Sequence, residues 1–139
     1  MPGRAPDEVF YSLLMVDKAE YFQSVLDNLA GGFLSVDLSG IVVYVNPTAG
    51  RILHIPDAAG LVGKSFAEAL AGFPALCDVV RDTLKTRLTA HRAEVSVLHG
   101  DAPLIIGYST LQVKNREGEA LGIGIIFQDL TFVAGRKAN

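Results

Sequence analysis

The residues able to do chemistry are few and scattered. His54, His91 and His99 lie far apart, with no spacing that would bring two of them onto one metal ion. His54 falls at a helix end, where a protonated imidazole interacts well with the helix dipole. His91 precedes a strand and His99 sits in a turn, so each has an ordinary structural or surface role open to it. Cys77 is the single cysteine, which leaves no internal disulfide and no multi-thiolate zinc site. That usage fits a reducing compartment, and the thiol reads as a small buried apolar group. Ser65, Ser96 and Ser109 have no base at a matching spacing, and Gly-x-Ser-x-Gly is absent. Gly122-Ile123-Gly124 lacks the rest of a dinucleotide fingerprint and lies inside a strand pattern, where glycines let a helix or a ligand approach the backbone. No pair of carboxylates is placed by spacing alone for acid/base work. Catalysis therefore has little to stand on. The enzyme alternative is a small protein of another α+β fold, and it requires His54 or His91 inside a cleft.

The elements that would position a binding site are clearer. Phe33 to Leu38 and Ile41 to Val45 read as two strands around a Ser39-Gly40 turn, in which Gly40 can take positive φ without steric cost. Asn46 follows, with Pro47 behind it, so its side chain can cap a helix continuing through Thr48, Ala49, Ile52 and Leu53. Upstream, Asp7 can cap a helix running toward Leu29 or Ala30. Phe22, Val25, Leu26 and Leu29 make one stripe on it, and Gly31-Gly32 stops it. Asp17-Lys18-Ala19-Glu20 reads as a break between two helices or a bend. Downstream, Ser65 and Glu68 form a capping box for a short helix through Leu70. Phe73-Pro74 opens a longer helix to about Leu88, with Leu76, Val79, Val80, Leu84 and Leu88 inward. Strands are expected at Ala93 to Leu98, Leu104 to Val113 and Leu121 to Gln128, separated by polar turns at His99 to Asp101 and Lys114 to Gly118. Two strands, several helices and three strands make an α+β domain with helices on one face of an antiparallel sheet.

The stretch Val36-Asp37-Leu38-Ser39-Gly40-Ile41-Val42-Val43-Tyr44-Val45-Asn46-Pro47-Thr48-Ala49 resembles the opening of a PAS domain. This is the small sensory module of histidine kinases, cyclic-dinucleotide enzymes and transcriptional regulators. Asp129-Leu130-Thr131 resembles the triplet that closes the last PAS strand and leads into an output helix. The resemblance covers Phe22 to Thr131. It implies the PAS fold, with five strands in the order 2-1-5-4-3 and an N-terminal flanking helix. It also implies a division into a tail and flanking helix (1–21), a PAS domain (22–131) and the start of an output linker (132–139), in a chain cut from a protein whose effector lies further on. In haem-binding PAS domains the axial histidine lies on the long helix; Phe73 to Leu88 has none, and Cys77 is its one soft ligand, so the resemblance argues against haem. Flavin photosensors carry Asn-Cys-Arg-Phe-Leu on the short preceding helix. Gly63-Lys64-Ser65-Phe66-Ala67-Glu68 stands there instead, and covalent flavin photochemistry is excluded by that motif.

The totals agree with one signalling domain. The chain has 139 residues, the length of a single domain. It is 50% hydrophobic and 19% charged, enough for a packed core and too apolar for disorder. A mean hydropathy of +0.33 asks for a large core or an apolar face covered by a partner. A net charge of −3 leaves no electrostatic footprint for nucleic acid. No run approaches the roughly 18 apolar residues of a membrane span, and the N-terminus lacks a signal core. The expected location is the cytoplasm.

For binding, an apolar cavity wall is expected from Leu34, Val36, Ile52, Phe66, Leu76, Val80, Leu84, Ile106, Tyr108, Ile123 and Ile125. Ser35, Tyr108, Thr110 and Gln128 are the polar candidates. The same residues would equally make an ordinary core. Asp129 and Thr131 are the relay candidates, and Asn46 is a structural cap. Val9, Phe10, Leu13, Leu14 and Val16 form a face wider than one core needs. Either they dimerise the chain or they fold onto its own sheet. The expected protein is a homodimeric, non-enzymatic sensor from a two-component histidine kinase with a small-molecule ligand. A PAS homodimerisation spacer with a filled core is the alternative.

Overall fold

The computed structural model describes residues 18–131. Residues 18–27 are helical (α1). Strands β1 (Gly32–Asp37) and β2 (Val42–Val45) form the first hairpin and α2 (Pro47–Ile52) follows it. A 3-10 turn at Ala58–Leu61 and the short α3 (Phe66–Ala69) lead into α4 (Pro74–Thr86), and β3 (Ala93–His99), β4 (Ala102–Lys114) and β5 (Ala120–Asp129) complete the sheet. All pairings are antiparallel, in the order β2-β1-β5-β4-β3.

Local chemistry accounts for the boundaries. In the first turn Asp37 Oδ1 accepts the amides of Ser39 and Ile41 at 2.9 and 3.0 Å, and Gly40 takes φ 83°. Ser65 Oγ accepts from the Glu68 amide at 3.2 Å and starts α3. Glu68 does not complete the box: its carboxylate faces Lys64 at 3.7 Å. α4 stops at Thr86, two residues early, because Arg87 turns left-handed at φ 61°. Leu88, expected on the inner face, is consequently 75% exposed.

The core lies between the sheet and the helices. Along β1 burial alternates, so Leu34 and Val36 point inward beside Ile125 and Ile123 of β5. Leu53, Leu61, Leu70, Phe73, Leu76, Cys77 and Val80 close over them. The opposite face carries Phe33, Ser35 and Ile126. Gly122 and Gly124 also lie there, expected to let a helix or a ligand approach; among the described residues the close neighbours are strands β1 and β4. A Cβ on Gly122 would stand 2.1 Å from the Val36 carbonyl oxygen, and one on Gly124 would stand 2.8 Å from the Phe33 ring. Strand β1 itself is what approaches.

Helix α1 departs from expectation where it ends, at Asp27 rather than at Gly31-Gly32. Lys18, Ala19 and Glu20 are helical, and the residues before them, to which the expected break relates, lie outside the described residues. The end is set by the side chain of the next residue and by two from beyond the first hairpin. Asn28 folds its amide onto the Ser24 carbonyl at 2.8 Å, Asn46 Nδ2 donates to the Leu26 carbonyl at 2.9 Å, and Thr48 Oγ1 donates to the Leu29 carbonyl at 2.9 Å. Val9, Phe10, Leu13, Leu14 and Val16 lie outside the described residues, as does the expected Asp7 cap.

Asn46 is fully buried, at 0% exposure. Its Oδ1 accepts from Phe33 N at 2.8 Å and Ala49 N at 2.9 Å; its Nδ2 donates to the Leu26 and Gly31 carbonyls at 2.9 and 3.1 Å. Replacing it with Ala strands buried partners in α1, β1 and α2. Urea unfolding of Asn46→Ala is expected to show a loss of about 2–4 kcal/mol. Asn46→Asp keeps both accepted bonds but sets a carboxylate oxygen against two carbonyls. That raises its folded pKa, so its deficit relative to wild type should be smallest below the ordinary Asp range and grow as pH rises to neutrality. A loss under about 0.5 kcal/mol for the Ala variant would place Asn46 among ordinary surface substitutions.

Candidate functional site

Three places gather the residues singled out from sequence. The first is the interior. Leu34, Val36, Leu76, Val80, Ile106, Ile123 and Ile125 are buried in one cluster, and Ile52, Phe66, Leu84 and Tyr108 pack half-buried against it. Phe66 also lies under the Arg81 guanidinium, 5.6 Å from ring centroid to Cζ. The polar candidates do not join them as a set. Ser35 is on the opposite face of β1, because strand side chains alternate. Gln128 is exposed. Thr110 is buried, but its hydroxyl accepts the Ala90 amide at 2.7 Å. Cys77 Sγ donates to the Leu70 carbonyl at 3.3 Å, and burial pushes the thiol pKa up, against a smaller lowering by Arg81.

The second place is the end of β5. Asp129 Oδ1 accepts from both the amide and the hydroxyl of Thr131. Thr131 Oγ1 in turn accepts the Ile105 amide at 2.9 Å, and Leu130 N donates to the Ile105 carbonyl at 2.7 Å. Both backbone groups of Ile105 on β4 are thus held by the triplet. Leu130 lies over Gly107, where a Cβ would stand 2.5 Å from its Cδ1. The glycine leaves room for this fold-back, a role sequence reading did not assign to it.

The third place was not anticipated as a site. A cleft of about 840 Å³ runs between α1, β2 and the turn after α2. Gln23, Asp27, Tyr44, Arg51, His54 and Asp57 supply its polar side chains. Tyr44 donates a hydrogen bond to Asp27 Oδ1, and Gln23 Nε2 donates to the same carboxylate at 3.2 Å. Burial, then the Asp27 hydrogen bond and charge, push the Tyr44 pKa up to about 12. Nothing in the spacing of Asp27 and Tyr44 announces this pair.

The sequences of known proteins agree with this architecture. The family model described as the PAS fold matches residues 26–134. The chain belongs to the PAS family. It is 28% identical over 107 residues to the signal transduction histidine-protein kinase AtoS of Escherichia coli K12, covering 77% of this chain and 17% of that protein. It is 27% identical over 106 residues to the cyclic di-GMP phosphodiesterase PdeB of Shewanella oneidensis, covering 76% of this chain and 12% of that protein. The chain therefore spans less than a fifth of either relative. Among solved structures, the PAS domain of Bordetella pertussis BvgS superimposes with a TM-score of 0.66 at 23% identity, covering 88% of this chain and 94% of that one. A domain of the PAS fold is the class these findings define. Among the described residues no group of three or more His, Cys, Asp or Glu could hold a metal ion. No described helix is long and apolar enough to cross a membrane.

The Tyr44–Asp27 bond has a pH signature. Its folded pKa lies above the ordinary value of 10, so its contribution is fully present below pH 10 and is lost as pH rises through about 12. Ultraviolet titration should show one tyrosine ionising last. Tyr44→Phe should remove that step and flatten the stability loss between those pH values. A variant that titrates like wild type would refute the assignment.

Proposed function

We propose that this chain is the sensory and dimerisation domain of a cytoplasmic signal-transduction protein, first of all a sensor histidine kinase. It passes a ligand or partner state through β5 to an output helix that follows Thr131. In this reading residues 1–21 are a tail and dimerising flank, 22–131 the sensor, and 132–139 the start of the output linker. The observation that carries it is the hold of Asp129, Leu130 and Thr131 on Ile105. A shift of β5 against β4 must break or re-aim these bonds, and so re-aim the segment that follows. Such coupling is a population shift between two arrangements of one element, biased by whatever binds them unequally. The similarity to AtoS supports a kinase as effector, and that to PdeB supports a signalling parent more generally.

Two exposed apolar faces support a homodimer. Tyr21, Phe22 and Val25 on α1 are 66%, 52% and 44% exposed, and Ile126 on the outer face of the sheet is 38% exposed. Val9, Phe10, Leu13, Leu14 and Val16 would extend the α1 face. The tight interior favours a second reading, a spacer that dimerises without a ligand in its core. Ala49, Val80 and Ile106 are all at 0% exposure.

The relay is tested by Asp129→Ala in the full-length parent. The isolated domain should keep its unfolding midpoint within a few degrees while the parent's output stops responding to its stimulus. An unfolded variant, or a parent with its response intact, refutes the relay. Native mass spectrometry of this chain beside the denatured sample should show a dimer. Retained small-molecule mass separates the sensor from the spacer, and a clean monomer refutes the dimerisation role.

A further inference from the structure

Gly107 stands in the interior of β4, where a residue without a side chain weakens a strand. Its backbone does not call for glycine, because its φ is not positive. Ile106 beside it points into the core at 0% exposure, so a side chain at 107 would stand on the outer face. There a Cβ would lie 2.5 Å from Leu130 Cδ1 and 3.2 Å from Leu130 Cγ. What the missing side chain provides is a seat for Leu130. Beside the seat is a depression of about 450 Å³ that Ser109, Ile126 and Gln128 also line, so the leucine has space to leave it without disturbing the core.

The ladder between β4 and β5 ends at the same place. Ile106 and Asp129 are its last paired residues. At the next position the Leu130 amide donates to the Ile105 carbonyl at 2.7 Å, as in an antiparallel pair. The Ile105 amide, however, donates to Thr131 Oγ1 at 2.9 Å, so a hydroxyl stands in for the carbonyl that would continue the strand. Backbone groups alternate between the two edges of a strand. Pro103 therefore faces the same edge as Ile105 and has no amide to offer there.

We propose that Leu130 and its seat on Gly107 are a steric latch with two positions. Seated, the leucine keeps both backbone groups of Ile105 bonded to the departing segment and fixes that segment against β4. Unseated, those bonds open and the segment is released, while the sheet stays paired up to Ile106 and Asp129. The effect on output rests on the relay reading; the latch itself is a property of this chain and is measured on it.

The test is amide hydrogen exchange of the full chain by NMR, for wild type, Gly107→Val, Leu130→Ala and the double variant. Valine suits a strand, so Gly107→Val acts on the seat rather than on β4. It should lower protection of the Ile105 and Leu130 amides about tenfold or more, and leave Ile123 and Ile125 as in wild type. Leu130→Ala adds no atom, and it should lower protection at the same two amides, which decides the matter even if the valine variant fails to fold. Made in the Leu130→Ala background, Gly107→Val should cost far less protection, because the clash is gone. Unchanged protection in Leu130→Ala overturns the latch, as does an equal cost of Gly107→Val in both backgrounds. In the full-length parent, Gly107→Val should give an output that no longer follows the stimulus. Lowered protection beside a parent that responds normally overturns the link to output, and with it the relay.

Discussion

The side-chain amide of Asn46 is the interaction on which the other parts depend. It is wholly buried, and each of its bonds goes to a different part of the chain: α1, the segment after it, β1 and α2. A buried amide with a missing partner costs more than a satisfied one contributes, so the arrangement is nearly all-or-none. Oδ1 starts α2 as an N-cap, and Nδ2 finishes α1 by taking a carbonyl from its last turn. One residue thereby sets the direction in which two helices leave the sheet. Thr48 and Tyr44 add a carbonyl contact at Leu29 and a side-chain contact at Asp27. The result is a flanking helix held by hydrogen bonds at its C-terminal turn while Tyr21, Phe22 and Val25 stay outside the core.

Half of this was legible in the sequence. Asn followed by Pro announces an N-cap, and the Ser39-Gly40 turn announces the hairpin that delivers it. The donors of the same amide were not legible. Their acceptors lie 15 and 20 residues upstream, and no local pattern records which carbonyl a buried amide will meet. The same division holds elsewhere. Period-two alternation separates Leu34 and Val36 from Ser35, so polarity alone does not place Ser35 in the cavity wall. Ser65 caps α3 as its spacing foretells, whereas Leu88 falls outside α4 because Arg87 adopts a left-handed conformation that nothing in its side chain requires. The strand order came from family resemblance; pairing β1 with β5 joins residues about ninety apart, a separation at which periodicity is silent. The 840 Å³ cleft was illegible for the same reason, since Asp27, Tyr44 and Arg51 come from three elements.

The glycines of the last two strands show how sequence features change meaning once the sheet is assembled. Gly122-Ile123-Gly124 reads in sequence as room for a helix or a ligand. The room is filled by the neighbouring strand and by the Phe33 ring. Gly107 carries no motif in the sequence, yet it is the position over which Leu130 folds. In both cases a missing side chain lets a neighbouring element sit closer than any substituted residue would allow. The outer face is thus neither flat nor uniformly apolar. It has a ridge at Phe33 and Ile126 and a filled notch at Gly107.

Strand order also brings two ends of the fold together. Because β1 lies between β2 and β5, Gly32 at the start of β1 is paired with Phe127 near the end of β5. The segment arriving from α1 and the segment departing through Asp129–Thr131 therefore meet at one end of the sheet. Each is held there by side-chain hydrogen bonds rather than by deep apolar burial: Tyr44, Asn46 and Thr48 on the arriving side, Asp129 and Thr131 on the departing side. Bonds of this kind are worth about 1 kcal/mol each net, so exchanging one set for another lies within reach of ordinary ligand binding. The interior, built from close-packed Leu, Ile and Val side chains, resists continuous deformation and moves as a body. A rigid core with hydrogen-bonded junctions side by side is the arrangement on which the proposed relay rests.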